Sequence, residues 1–208
     1  MLFRSYLGYV ATDNRQGGVE AAKRLIEVLK GKSKPKVMMI RYQTGSESTE
    51  QRELGFRETI KAAGNIDYSE AADEAGATVD SAQKTVERVL SDTKDLDGLF
   101  IPNESSTTGA LQAIRVLKRE GQFKFVGFDG SEILIQAVRE GRLQGVVLQD
   151  PFDMGYQAVK RAVDFTRGKL TLKEKTVHTN LKLLTKENMD DASIKPLYSR
   201  DLSSYLGK

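Results

Sequence analysis

The sequence predicts a doubly wound α/β fold, a parallel sheet covered by helices on both faces. Three observations carry this. Short apolar runs alternate with stretches whose apolar residues recur every three or four positions, the pattern of repeated βα units. The 208 residues, 39% of them hydrophobic, can bury a sizeable core without disulfides or metals. The polar residues richest in hydrogen-bonding capacity fall just past the apolar runs, where an open parallel sheet places its ligand.

Taken in order, Tyr6 to Ala11 is the first strand, and the helix after it sets Gly18, Ala22, Leu25, Ile26 and Leu29 on one face. Lys36 to Tyr42 is the second, followed by a helix bearing Phe56, Ile60 and Ala63. Ile66 to Ala71 leads to a helix with Ala82, Val86, Val89 and Leu90, and Leu96 to Ile101 to one with Ala110, Leu111, Ile114 and Leu117. Lys124 to Phe128 precedes a short helix, Ile133 to Arg139. Leu143 to Leu148 precedes a longer one, Phe152 to Thr166, with Phe152, Tyr156, Val159, Ala162 and Val163 on one side. Val177 to Leu184 is the last strand. From Thr185 to Lys208 periodicity fades into a polar tail broken at Lys195-Pro196, expected to wrap the surface. Right-handed crossovers between such strands bury the sheet on both sides.

Charge narrows the function. With 32 Lys and Arg against 29 Asp and Glu the net charge is +3, and no run of like charges is long enough to track a phosphate backbone, so no nucleic-acid partner is expected. The absence of cysteine removes disulfides, thiolate catalysis and sulfur-ligated zinc. No stretch approaches the roughly 20 apolar residues of a membrane span, and Met1 to Ser5 is too short for an export signal.

The residues past each strand form the candidate site. Arg52 follows the second strand through a polar loop, Asn103 follows "GLFIP", Asp129 follows "FVGF", and Gln149 ends "GVVLQ". A guanidinium, a carboxylate and two amides at one edge supply the donors and acceptors that vicinal sugar hydroxyls require, and suit neither metal nor phosphate especially well. Each has a local alternative. Asp129 opens a turn, Arg52 pairs with acidic neighbours on a helix surface, Asn103 caps a helix, and Gln149 satisfies a loop carbonyl.

Enzyme motifs fail on inspection. "GKS" at Gly31 to Ser33 would need a glycine where Ile26 stands inside a helix, and no spaced glycine fingerprint or nucleophile elbow follows a strand. The one histidine, His178, falls in the last strand. No catalytic residue, cofactor or metal site is predicted.

The ordered segments "YVATDNRQGG", "GSESTEQRELGF", "GLFIPNESSTTGAL", "FVGFDGS" and "VVLQDPFDMGYQAV" resemble the type I periplasmic sugar-binding proteins, in particular the ribose-binding group of ABC importers. The resemblance runs from about Tyr9 to Leu184. It implies that Arg52, Asn103, Phe128, Asp129 and Gln149 contact sugar in the second of two lobes. It also implies hinge crossings at Thr12, Asp13 and Asn14, at Gln149, and near Asn180. Where that group often carries a stacking aromatic, this chain reads "EAGATVDS", so a different pentose, a hexose or a polyol joins ribose as a candidate.

By the same resemblance, residues 1–11 are a remnant of the first lobe and first hinge strand, 12–149 the sugar-binding lobe, and 150–208 a return helix, last strand and tail that would pack on the missing lobe and hinge. Met1 to Ser5 can be read as the translated end of a common sequencing adapter, and a fragment is expected. The implied whole is an exported, monomeric importer component with a small-molecule sugar and an inner-membrane ABC permease as partners. The ligand-sensing domain of a lac-repressor-family regulator shares this fold and is one alternative; an enzyme acting on a sugar, its carboxylate pair not fixed by spacing, is another. The regulator domain usually carries "GH" before the strand that here reads "GKSKPKVMMI".

Overall fold

A computed structural model describes residues 8–170 and 176–206. In chain order the first elements are β1 (Tyr9–Thr12), α1 (Asn14–Val28), β2 (Lys36–Met39), α2 (Glu47–Ala62), β3 (Asp67–Glu70), α3 (Val79–Asp92), β4 (Gly98–Phe100) and α4 (Glu104–Val116). There follow β5 (Lys124–Phe128), α5 (Glu132–Arg139), β6 (Gly145–Gln149), α6 (Pro151–Thr166), β7 (Thr176–Thr179), β8 (Leu181–Leu184), α7 (Lys195–Tyr198) and α8 (Ser203–Leu206). The chain divides into two units and passes between them after Asp13, after Leu148 and after Leu181.

The larger unit comprises Asn14–Leu148 and the chain from Lys182 onward. Its sheet runs β3-β2-β4-β5-β6-β8, with the pairs from β3 to β6 parallel. Side chains alternate across the pleat. Leu99, Ile101, Phe125, Val146 and Leu148 join Val86 and Leu90 of α3, Ala110 and Ile114 of α4, and Leu134 and Val138 of α5 in one buried cluster. Phe100, Val126, Phe128 and Val147, at the alternate positions, are buried as completely, as are Leu25 of α1 and Phe56 of α2. Phe56 stacks on Phe100 at 4.2 Å between ring centroids. A both-faced core of this kind is why the strands read as continuous apolar runs.

Helices α1 and α2 cross at two glycines. A Cβ added to Gly18 would stand 1.9 Å from the Arg52 carbonyl oxygen, and one added to Gly55 2.0 Å from that of Arg15. The two backbones touch, which only glycine permits.

The predicted last strand is two strands. β7 ends at Thr179, an exposed Asn180 intervenes, and β8 belongs to the other sheet. The tail also differs from expectation. Met189 and Ile194 lie in the larger unit's core beside Leu184, and the Tyr198 hydroxyl donates to the Met189 carbonyl at 2.7 Å. Residues from Lys182 onward fall with Asn14–Leu148 in the larger unit. The isolated apolar residues of a polar tail gave no period to read.

In the smaller unit β1 and β7 pair in parallel, from Tyr9 opposite Thr176 to Thr12 opposite Thr179. The first-strand reading extended to Tyr6 and Leu7, which lie outside the described residues. α6 starts at Pro151, where proline has no N–H to lose, and the Asp150 carboxylate accepts the Asp153 N–H at 3.0 Å. No residue of α6 is buried, and Tyr156, Val159 and Val163 of its apolar side are exposed, as is Phe165 on the opposite face.

Candidate functional site

In the larger unit the strand order reverses between β2 and β4, so crossovers leave to opposite sides and open a crevice at the strands' carboxyl ends. Arg52 comes from the helix after β2, Asn103 from the turn after β4, and Asp129 from the end of β5.

Arg52 is 5% exposed, which overturns its reading as a helix-surface ion pair. The α1–α2 glycine contact brings it to Asn14, whose Oδ1 accepts from Nε at 2.8 Å, while Nη1 donates to the Pro102 carbonyl at 2.9 Å. Its guanidinium carbon lies 3.8 Å from the centroid of the Phe128 ring, a cation–π contact. Burial pulls its pKa below the ordinary value and Asp129 opposes that pull. An arginine stays charged under such pressure.

Asp129 takes a left-handed backbone, φ 75°, which is uncommon for a residue with a side chain. Its N–H donates to the Val147 carbonyl at 2.8 Å. Its Oδ2 accepts the Glu104 N–H at 3.0 Å, and stands 3.7 Å from Arg52 Nη1. The carboxylate thus caps α4 from another strand, which goes beyond opening its own turn. Asn103 occupies the cap position of α4 yet makes no side-chain cap bond. Its Nδ2 donates to Ser105 Oγ at 2.9 Å, and its buried Oδ1 has no hydrogen-bond partner. A buried acceptor left unmade is costly, so it marks a place where a donor from outside is welcome. The larger unit therefore brings Arg52, Asn103 and Asp129 together. Phe128 is fully buried, its ring serving as the platform under Arg52.

Gln149 is the last residue of β6 and falls in the smaller unit, where its Oε1 accepts from Thr12 Oγ1 at 2.6 Å. Thr12 is 2% exposed. The unit crossings fall between Asp13 and Asn14, before Gln149, and one residue past Asn180.

Sequence reasoning passed over Glu104, Ser131 and the Gly18–Gly55 contact. Glu104 is held near Asp129 and Ser131, and burial and the Asp129 charge push its pKa up. Ser131 Oγ is buried with no well-formed hydrogen bond. The dipeptide "DG" followed by serine gave no sign of this, since Ser131 also reads as an ordinary cap for α5. A groove of about 680 Å³ lies elsewhere in this unit, between α5 and the tail, lined by Gln136, Arg139, Arg142 and Tyr198. It is open and lacks the buried unpaired acceptor that distinguishes the strand-end cluster. Among the described residues no group of three His, Cys, Asp or Glu could hold a metal ion.

A sheet of this order, with polar groups converging at the strand ends, defines a type I solute-binding fold, and the chain belongs to the periplasmic binding protein domain family, whose model matches residues 5–170. Among its relatives, the ribose import binding protein of Bacillus subtilis is 29% identical over 181 residues, 86% of this chain and 55% of that protein. A periplasmic component of a sugar transport system from Hahella chejuensis superposes with a TM-score of 0.81 at 39% identity, covering 86% of this chain and 64% of that one. An ABC transporter solute binding protein from Agrobacterium vitis, solved with bound D-fucose, gives a TM-score of 0.84 at 28% identity, covering 93% and 65%. The chain spans about half the length of the curated relatives it matches.

Proposed function

We propose that this chain carries the sugar-contacting lobe of an ABC importer's substrate-binding protein, with Arg52, Asn103 and Asp129 holding a monosaccharide from one side. One observation carries the reading. Asn103 Oδ1 is buried and unpartnered beside a carboxylate and a guanidinium already fixed in place. Such a cluster is pre-organised for hydroxyls, which both donate and accept, and each charge-assisted bond contributes about 1.5–3 kcal/mol. Relatives named for ribose import and solved with D-fucose support the same class.

In the whole protein, sugar would bridge two lobes and stabilise the closed form through contacts the open form lacks. The crossings near Asp13, Gln149 and Asn180 would serve as hinges. The exposed apolar side of α6 would pack on the other lobe. The closed, exported, monomeric protein would then dock on an inner-membrane permease. Alone, this chain offers half of the contacts, and a dissociation constant of about a millimolar or weaker is expected. NMR titration of the chain with pentoses, hexoses and polyols tests this. Saturable shifts at Asn103, Glu104 and Asp129 support it, and silence there with every sugar refutes it.

A further inference from the structure

Glu104 follows Asn103, opens α4, and gives its backbone N–H to Asp129 at 3.0 Å. Its side chain is exposed, feels the charge of Asp129, and pairs with no Lys or Arg among the described residues. The Asp129 charge is shared with Arg52 at 3.7 Å, and that guanidinium is already committed to Asn14 and Pro102. The strand ends therefore carry two carboxylates, Asp129 and Glu104, and among the described residues Glu104 has no Lys or Arg partner. The pKa of Glu104 is pushed up by burial and then by Asp129, which agrees with two like charges held close.

Resting on the sugar reading above, we propose that Glu104 is a specificity-determining residue that restricts the site to neutral monosaccharides by rejecting sugars bearing a carboxylate or phosphate. A neutral sugar presents hydroxyls to Asn103 and Asp129 and feels little of the Glu104 charge. An anionic sugar brings a third negative charge to a partly desolvated place, where like-charge juxtaposition acts against the wrong ligand. Discrimination arises from a repulsive element, so removing it admits the excluded class without rebuilding the site.

The test is NMR titration of the 208-residue chain and its Glu104→Gln and Glu104→Asp variants with D-ribose, D-galactose, D-ribose 5-phosphate and D-galacturonate. Glu104→Gln is expected to tighten the anionic sugars about tenfold, or about 1.4 kcal/mol, while the neutral sugar that binds best shifts by less than about twofold. Glu104→Asp, which keeps the charge, should keep most of the discrimination. An unchanged ratio of anionic to neutral affinity in Glu104→Gln overturns the proposal, as does equal weakening of both classes with the spectrum otherwise native. If the parent chain binds the anionic sugars as well as the neutral ones, the specificity role fails while the sugar reading stands. If it binds none of the four, the sugar reading fails and takes this inference with it.

Discussion

Alanine at Gly18 tests how the larger unit is assembled. In a free helix, glycine to alanine gains about 1 kcal/mol. At Gly18 the new Cβ would stand 1.9 Å from the Arg52 carbonyl oxygen and 2.8 Å from the Phe56 nitrogen, both backbone atoms that cannot rotate away. Restoring an ordinary contact requires α1 and α2 to part by about 1.5 Å, which loosens the packing of a fully buried Phe56. Overpacking of this kind costs about 1–3 kcal/mol, enough to outweigh the propensity gain. Urea unfolding followed by circular dichroism should show a lower midpoint at unchanged slope. Gly155→Ala, whose Cβ meets nothing within 4 Å, supplies the contrast and should be neutral or stabilising. A Gly18→Ala protein as stable as its parent would refute the backbone-contact reasoning, and with it the account of how Arg52 reaches Asn14.

Asp129→Ala should weaken sugar binding by more than about 2 kcal/mol, read by titration, because ligand hydroxyls would be left buried without acceptors. Glu70 is held below the ordinary carboxylate range by its hydrogen bonds to Arg57, at 2.6 and 3.0 Å, and to the Tyr68 hydroxyl. A depressed pKa gives stability that is complete above the unfolded value, about 4.3, and is lost as pH falls through the lower folded value. Acid unfolding of Glu70→Gln should therefore lack that part of the decline and start from a lower neutral-pH stability. Val159→Lys, at a position 67% exposed on α6, should change the unfolding free energy by less than about 0.5 kcal/mol.

The fold was largely legible because β4, β5 and β6 are buried on both faces and each of α1 to α5 on one, so that period and run length agree there. Lys124 to Phe128 coincides with β5 to the residue. Most other strands are shorter than their apolar runs, since Ile40 and Ile101, just past the ends of β2 and β4, remain buried and still hydrogen-bond to the next strand. The β7–β8 break carries no period of its own, since its cause is the passage between units, and only the family resemblance pointed near Asn180. In the site, Arg52, Asn103 and Asp129 could be named from their places after strands. Their support could not, since Asn14 lies 38 residues from Arg52 and Glu104 lies 25 from Asp129. The burial that leaves Asn103 Oδ1 unpaired is likewise a property of packing alone.

The most direct measurement is to follow the side-chain signals of Arg52 Nε–H and Asn103 Nδ2–H₂ while neutral monosaccharides are added to the chain. Saturable shifts of both, with the same dissociation constant and abolished by Asp129→Ala, are the expected result. Shifts confined to the α5–tail groove around Arg139 and Tyr198, with Arg52 and Asn103 unmoved at every sugar concentration, would contradict the account.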